Sequence, residues 1–298
     1  METAENVRTA AFDVRKERFS AFLRNTDQKE IQLQATLHGL QQRAPTTWRK
    51  AIDPNQEFRA YFVGAGNGGL EIPFAKAIMD SRGTKNGLSI FCEDVSAPMK
   101  EEFLRNAEAA GLTETVKEYA VVPFENPTYA PRRADFSASS HVWYYVQNWK
   151  NVPRESNSLA KFQSTIQDGG VGLITLYSRQ SDRYEILAYL HSLGKQSTPE
   201  LPGEEIIDEL QVLNIRSETN IVDAHTNVSA CFQSGEFNPT DEGKLLLSFI
   251  LRTYWNVLSE DVKASVGRKL TEITERNGRL QMIFRDLYVW IFPNKSSE

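Results

Sequence analysis

Short apolar runs alternate with amphipathic segments between residues 58 and 178, and this alternation predicts strands separated by helices. Strands are expected at residues 58–64, 88–94, 116–122, within 135–146, and at 171–178. Helices are expected between them at residues 71–79, 98–112 and 158–166, the last stopped by Asp168-Gly169-Gly170. Strands that alternate with helices in this way favour a doubly wound, mostly parallel sheet.

The segments on either side of this alternation are richer in helix. Residues 10–43 carry apolar positions at helical spacing, interrupted by a turn around 24–30, and residues 195–203 form a linker. Beyond residue 178 we expect helices at 204–213, 241–255 and 260–274 and an antiparallel strand pair at 218–229 and 280–292. The two added strands bring the predicted sheet to seven.

These segments predict two domains. Residues 1–55 would form a helical cap that acts as a substrate lid. Residues 56–298 would form the α/β domain, with helical insertions near 180–215 and 235–278.

Composition narrows the class of protein and its partners. The 298-residue chain has a net charge of -5, which argues against a nucleic-acid partner held through its phosphates. No run approaches the ~18 apolar residues of a membrane span, so no membrane partner is expected. The N-terminus lacks a signal-peptide core, and the two cysteines, Cys92 and Cys231, have no metal-ligand spacing. We predict a cytoplasmic protein without a bound metal.

A glycine-rich segment follows the first predicted strand and leads directly into a helix. It consists of Gly64, Ala65, Gly66, Asn67, Gly68 and Gly69, and it satisfies the pattern G-x-G-x-x-G. Glycines permit a tight turn and a close approach of ligand to backbone, and amides near a helix N-terminus can face that ligand. We therefore expect these amides to cradle part of a cofactor.

An acidic pair, Glu93 and Asp94, ends the second predicted strand about 25 residues after the glycines. A carboxylate there can accept both hydroxyls of a ribose. Together with the glycines it predicts a nucleoside-containing cofactor, either a dinucleotide or S-adenosylmethionine (SAM). Two features favour SAM: the long helical stretch before the first strand, and the helix and strand pair after the fifth. A tight turn with surface acids is the structural alternative.

Four segments resemble the class I SAM-dependent methyltransferases, specifically the branch that contains histamine N-methyltransferase. They are FVGAGNGGLEI, EDVSAPM, DFSASSHVWYYV and NVSACFQSG, and the resemblance runs from about residue 12 to 292. It implies a Rossmann-like seven-stranded fold, SAM as cofactor and a small-molecule acceptor, and we expect a monomer or weak homodimer. It also places the ribose acid at Asp94 rather than at Glu93.

The resemblance and the strand ends together select the residues expected to contact the cofactor. These are Gly64, Ala65, Gly66, Asn67, Gly68, Asp94, Val95, Met99, Phe124, Glu125 and Ser140.

Three positions depart from the family pattern. Phe62 stands where most class I enzymes carry an acid, and the histamine branch also lacks that acid. His141 replaces a glutamine that touches substrate, and Asp286 replaces a substrate-contacting asparagine. Because the last two changes fall in the implied acceptor pocket, we do not expect histamine itself to be the substrate.

The residues predicted to bind the acceptor are Asp27, Glu30, His141, Tyr144, Tyr145 and Asp286. His141 could take a proton from an amine as the catalytic residue or hold the acceptor, and a half-buried structural histidine is the alternative. Asp286 could hold a cationic amine or be a strand charge that faces water. Asp27 and Glu30 lie where the family places a substrate carboxylate. The tyrosines could form an aromatic wall for a cation or simply pack in the core.

We expect a small-molecule methyltransferase, with an amine nitrogen as the favoured acceptor. An oxygen or carbon acceptor is the first alternative. An NAD(P)-dependent oxidoreductase and a non-catalytic binding protein are alternatives of other classes.

Overall fold

A seven-stranded sheet organises the structure, a computed structural model that describes residues 17–194 and 201–293. Its strands are β1 (Phe58–Val63), β2 (Leu88–Asp94), β3 (Val116–Val121), β4 (Ala134–Ser140), β5 (Ile166–Tyr177), β6 (Ser217–Asn227) and β9 (Gln281–Ile291). Their order is β3-β2-β1-β4-β5-β9-β6, and the pairs β1–β2, β1–β4, β2–β3 and β4–β5 are parallel. The predicted mostly parallel, seven-stranded sheet is confirmed. A separate short hairpin joins β7 (Phe232–Gln233) and β8 (Glu236–Phe237) in antiparallel pairing.

Ten α-helices accompany these strands within the described residues. They are α1 (17–24), α2 (Gln28–Arg43), α3 (Pro45–Ile52), α4 (Glu71–Arg82), α5 (Ala97–Ala109), α6 (Ser158–Ser164), α7 (Asp182–Ser192), α8 (Glu204–Val212), α9 (Asp241–Ile250) and α10 (Glu260–Arg276). Residues 10–16 of the predicted first helix and residues 195–200 of the predicted linker lie outside the described part of the chain. In the described part, no helix is both long enough and apolar enough to cross a bilayer.

Two element boundaries differ most from the prediction. Asp168-Gly169-Gly170 does not end a helix; β5 already begins at Ile166, and the three residues lie inside that strand. Gly169 has a φ of 77°, and the β4–β5 register shifts between Ala134 and Phe136, so the glycines accommodate an irregularity in the strand. The helix expected over 241–255 ends at Ile250, and Arg252 leaves it with a φ of 56°.

The chain divides into two compact units. The larger unit contains residues 32–176, 201–222 and 287–293 of the described chain, and the smaller unit contains residues 17–31, 177–194 and 223–286. The two units are defined by the contacts that residues make within each of them. The predicted cap over residues 1–55 stays a prediction.

The larger unit has an apolar cluster on each face of its strands. On β1, Ala60 and Phe62 belong to one cluster, whereas Tyr61 and Val63 belong to the other. Successive side chains of a strand point to opposite faces, so β1 is buried on both of them. This explains why its sequence is apolar almost without interruption.

The smaller unit combines an aromatic stack with a buried polar centre. Phe22 stacks on Phe249 at a centroid distance of 4.2 Å and on Phe284 at 5.8 Å. Asp182, which is 1% exposed, accepts hydrogen bonds from Arg276 at 2.6 Å and from the Ile283 backbone N–H at 2.6 Å. Its carboxylate therefore ties the start of α7 to the end of α10 and to β9.

Candidate functional site

Three glycines of the glycine loop, residues 64–69, adopt left-handed backbone conformations. The φ angles are 68° at Gly64, 53° at Gly66 and 85° at Gly68. Residues other than glycine rarely adopt such φ angles, because the conformation is energetically unfavourable for them. The loop connects the carboxyl end of β1 to α4, as the sequence predicts, and β1 lies between β2 and β4, where the strand order reverses. Open α/β sheets bind ligands at such a switch point.

The space around these glycines differs from one to the next. A Cβ at Gly64 would lie 2.3 Å from a methyl of Val142, and one at Gly68 would lie 2.5 Å from Ile72 Cδ1. At Gly66 a Cβ would meet nothing within 4 Å. Gly64 and Gly68 are therefore required by packing, whereas the backbone at Gly66 borders open space that a ligand could enter.

Most of the loop amides are already bonded inside the protein. The N–H groups of Gly64 and Ala65 donate to the Glu93 carbonyl at 2.9 and 3.0 Å, and that of Gly68 donates to the Ala65 carbonyl at 3.0 Å. The Gly66 N–H donates to Asp94 Oδ2 at 3.0 Å. These four amides therefore stabilise the tight turn, and the expectation that the loop cradles a cofactor stays a prediction.

Asp94 points at the glycine loop. Besides the Gly66 bond, its Oδ1 accepts the Ser96 N–H at 2.9 Å. Burial raises the pKa of the Asp94 carboxyl, and the backbone N–H groups of Ser96 and Gly66 oppose that shift. Each carboxylate oxygen has a second lone pair, so the group can accept two further hydrogen bonds.

Glu93, its neighbour, points into the core instead. It is 1% exposed and accepts a hydrogen bond from the Tyr61 hydroxyl at 2.6 Å. Burial raises its pKa to about 7, although the Tyr61 hydroxyl and the charge of Lys161 favour the carboxylate. The two adjacent acids thus belong to different environments, and only Asp94 borders the loop.

The remaining predicted cofactor residues follow β2, β3 and β4. Val95 is 71% exposed, and the Met99 N–H donates to the Ser96 side chain, which caps α5. Phe124 is buried beside Trp143. Glu125 is half-buried in the same turn, and Ser140 ends β4.

Lys161 holds the turn after β3 in place. Sequence reasoning missed this role of Lys161. Its ammonium donates to the carbonyls of Phe124 at 2.6 Å and Asn126 at 2.8 Å. Burial lowers the pKa of Lys161, and the nearby carboxylates of Glu93 and Glu125 oppose this. The lysine therefore fixes the backbone of residues that are predicted to contact the cofactor.

His141 follows β4 and is hydrogen-bonded at both ring nitrogens. Its Nε2 lies 2.8 Å from Gln32 Nε2, and its Nδ1 lies 3.2 Å from the Tyr144 hydroxyl. Its φ of 56° is unusual for a residue other than glycine. In this arrangement neither nitrogen is available to take a proton from an acceptor unless one of these bonds opens.

Asp286 is buried in the smaller unit. It is 1% exposed, and Gln28 Nε2 lies 3.1 Å from each of its carboxylate oxygens. The alternative that Asp286 is a strand charge facing water is therefore wrong. A carboxylate removed from water in this way favours a cationic or hydrogen-bonding partner.

Asp27 and Glu30, the two other acids predicted to bind the acceptor, have different surroundings from Asp286. Asp27 accepts the His225 backbone N–H at 2.6 Å and lies 3.0 Å from His225 Nδ1, and Glu30 is exposed on α2. The residue of this segment that contacts Asp286 is Gln28.

The aromatic segment after β4 divides by environment. Trp143 is fully buried and packs edge-on against Phe124 and Phe162, which supports the core-packing alternative for it. Tyr144 is half-buried against His141, and Tyr145 is 67% exposed. Only the two tyrosines could belong to a wall around an acceptor.

Both cysteines are buried, Cys231 in the smaller unit and Cys92 in β2. Burial raises the pKa of Cys231 to about 12 and that of Cys92 well above its usual value. Among the residues that the structure describes, no group of three His, Cys, Asp or Glu side chains could hold a metal ion.

Comparison with known proteins identifies the fold. No family model matches the chain, and no curated protein matches it. A candidate methyltransferase of Bacillus halodurans is 12% identical, with 85% of this chain and 99% of that chain covered and a TM-score of 0.53. The YcgJ protein of Bacillus subtilis is 13% identical, with 86% and 99% covered and a TM-score of 0.51. The fold is that of the class I methyltransferases.

A third structure, a SAM-dependent methyltransferase of Thiobacillus denitrificans in complex with S-adenosyl-L-homocysteine, is more distant. It is 13% identical, with 83% of this chain and 89% of that chain covered and a TM-score of 0.44. Identities this low relate folds and say nothing about substrate, and none of these structures points to the histamine N-methyltransferase branch.

Within the class I methyltransferase fold, two glutamines are further polar residues that sequence reasoning missed. Gln28 is 2% exposed and Gln32 is 1% exposed. Their spacing of four residues puts both on one face of α2. Two uncharged polar residues repeated at i and i+4 in a helix are a signal that could have identified them.

Proposed function

We propose that this chain is a SAM-dependent methyltransferase that acts on a small molecule, with an amine nitrogen as the favoured acceptor. The observation that carries the proposal is the open backbone at Gly66, held beside the carboxylate of Asp94 at the carboxyl ends of β1 and β2. The same fold in the Bacillus halodurans protein, described as a candidate methyltransferase, supports it.

The residues around the glycine loop fit SAM. Asp94 can accept the two ribose hydroxyls with the lone pairs that its backbone bonds leave unused. The Phe124 turn, which Lys161 holds in place, would border the adenine. When bound, SAM supplies a methyl group on a cationic sulfur, which is already an activated leaving group.

The chain's part in the reaction is to position the acceptor, exclude water and handle a proton. An ammonium has no lone pair, so a cationic amine must lose a proton before it can accept a methyl group. His141 and Tyr144 lie beyond the end of β4, on the ligand-binding edge of the sheet, and could direct that proton. Most of the rate acceleration would come from holding the lone pair of the acceptor about 3 Å from the methyl group.

Asp286 supports an amine over an oxygen or carbon acceptor. A buried carboxylate whose amide partner is Gln28 would favour a cationic acceptor, because water does not compete for it. The resemblance to the histamine N-methyltransferase branch, the cytoplasmic location and the monomer or weak dimer belong to this proposal.

Thermal denaturation with SAM, S-adenosylhomocysteine or NADH tests the cofactor. At a ligand concentration ~100 times its dissociation constant, SAM and its product should each stabilise the protein by about 2.7 kcal/mol, and NADH should not. A shift with NADH alone would establish the oxidoreductase alternative. A shift with none of the three would favour the non-catalytic alternative.

The Asp94→Asn variant tests the ribose assignment. Asparagine can keep one backbone bond but loses the charge and one acceptor oxygen, so SAM affinity should fall about tenfold while the urea midpoint changes little. Asp94→Ala is less informative, because it also releases the Gly66 N–H. Unchanged SAM affinity in Asp94→Asn would remove Asp94 from the site.

A further inference from the structure

Four side chains, joined by three hydrogen bonds, connect α2 to the end of β4 and the residues that follow it within the larger unit. Ser140 Oγ lies 3.4 Å from Gln32 Oε1, Gln32 Nε2 lies 2.8 Å from His141 Nε2, and His141 Nδ1 lies 3.2 Å from the Tyr144 hydroxyl. Gln32 is 1% exposed, so water does not replace these bonds.

The orientation of the Gln32 amide indicates the histidine tautomer. A serine hydroxyl donates to the amide oxygen of Gln32, which leaves the amide N–H₂ to face His141. An amide nitrogen can only donate, so Nε2 of the ring must be the unprotonated, accepting nitrogen. The single ring proton of the neutral histidine then lies on Nδ1 and is donated to the Tyr144 oxygen.

The backbone at His141 indicates that surrounding contacts hold this residue in place. His141 has a φ of 56°, a conformation that is energetically unfavourable for a residue other than glycine. Such a conformation persists where surrounding contacts over-determine it. The two ring bonds and the stacking of Tyr144 on His141, at an interplanar angle of 20°, supply such contacts.

We propose that Gln32 is a positioning residue that holds His141 as the neutral Nδ1–H tautomer, so that the histidine acts as a donor to Tyr144 and not as a proton acceptor. Because the Tyr144 oxygen receives the Nδ1 proton, its own hydroxyl proton is directed away from His141. The hydroxyl of Tyr144, polarised by this bond, is then the group presented to the acceptor. The tautomer is a property of the protein alone, whereas the role toward an acceptor rests on the proposed function.

This assignment changes the role predicted for His141. A base that accepts the proton of an amine needs an accessible unprotonated nitrogen, and here that nitrogen is bonded to Gln32. The amine proton would therefore pass to water, with His141 fixing the orientation of the Tyr144 hydroxyl.

Long-range ¹H–¹⁵N correlation NMR of the histidine rings tests the tautomer directly. The chain has only four histidines, His38, His141, His191 and His225, so the His141→Asn variant assigns the signals by loss of one set. The unmodified protein should show Nε2 of His141 at the shift of an unprotonated nitrogen and Nδ1 at that of a protonated one. The reverse pattern would overturn the proposal without the use of any variant.

Two substitutions at Gln32 extend the test. Gln32→Glu places an acceptor against Nε2, so this nitrogen should become protonated and its signal should move to the protonated range. Gln32→Met keeps the volume without a donor, and the ring should show exchange between tautomers. Gln41→Glu, the same change at an exposed position of α2, is the matched control and should leave the signals of His141 unmoved. Unmoved signals in Gln32→Met would also contradict the proposal.

Turnover gives a separate readout. In Gln32→Met and Tyr144→Phe, kcat should fall about fivefold to tenfold, the size expected for one neutral hydrogen bond. If no acceptor is methylated by any variant or by the unmodified protein, the proposed function fails while the tautomer assignment still stands or falls by NMR. If methylation proceeds but Nε2 carries the proton, the positioning role fails and the proposed function survives.

Discussion

The glycine loop and the buried polar residues Gln28 and Asp286 differ in where their partners lie along the chain. The loop is held by groups close in sequence, such as Asp94, 28 residues from Gly66. Gln28 and Asp286 are 258 residues apart, and Gln32 and His141 are 109 apart. A site whose partners are close in sequence can therefore be predicted from the local sequence. A site whose partners are far apart in sequence forms only in the completed fold.

The largest effect expected within the loop comes from packing. Gly64→Ala should destabilise the protein by about 2–5 kcal/mol, because a Cβ would lie 2.3 Å from Val142 and the φ of 68° is unfavourable for alanine. Urea unfolding measures this free energy. Gly66→Ala is the matched control: it has a similar φ but open space, so it should cost about 1–2 kcal/mol and weaken SAM binding instead. Equal costs for both would refute the division into packing and ligand-facing glycines.

Glu93 and Asp94 also differ in their surroundings, and the burial of Glu93 predicts that stability depends on pH. The pKa of Glu93 is raised from 4.5 to about 7, so the folded state holds its proton more tightly than the unfolded state. The stabilising contribution of the protonated group is fully present below pH 4.5 and is lost as the pH rises toward 7. Glu93→Gln should remove that loss. The difference in unfolding free energy between the variant and the unmodified protein should shift in favour of the variant by about 1–3 kcal/mol from pH 4 to pH 8.

Urea titrations at several pH values measure this effect. Glu108→Gln, at an exposed position of α5, is the control and should leave the pH dependence of stability unchanged. Parallel pH curves for Glu93→Gln and the unmodified protein would show that Glu93 does not titrate in this range.

In the smaller unit the expected effect is on binding. Asp286→Asn removes a buried charge with little change in volume, so the KM for a cationic acceptor should rise about tenfold to a hundredfold. Steady-state kinetics with an amine and with a neutral phenol separates loss of charge recognition from general damage. An equal loss for both acceptors would speak against a role in holding a cation.

The smallest effect is expected at Asp27. It is bonded to the exposed His225, so Asp27→Asn should cost no more than about 1 kcal/mol in stability and leave KM unchanged. Steady-state kinetics with the same amine and phenol measures the KM of Asp27→Asn. If KM rises as it does for Asp286→Asn, Asp27 has the substrate role that the sequence predicts.

The fold was largely predictable because β1 and its neighbours encode it locally. Ala60, Phe62, Tyr61 and Val63 give β1 an apolar character on both faces, and Gly64 follows where the chain must turn. A short, nearly continuous apolar run that is followed by glycine is consistent with a parallel strand buried on both faces.

What could not be predicted depends on partners far along the chain. Nothing near Gln28 indicates that its amide meets Asp286, and the acids beside it were the more obvious candidates. Asp168-Gly169-Gly170 was misjudged for a related reason: glycine commonly ends a helix, and here it allows an irregularity that forms only once β4 lies alongside.

The two buried thiols have a practical consequence. With Cys92 and Cys231 enclosed and protonated, maleimide reagents should leave the native chain unmodified. A single cysteine introduced at the exposed Val95, beside Asp94, would then be the sole point of attachment for a fluorophore. Fluorescence from that position would report cofactor arrival in real time, before any acceptor is known.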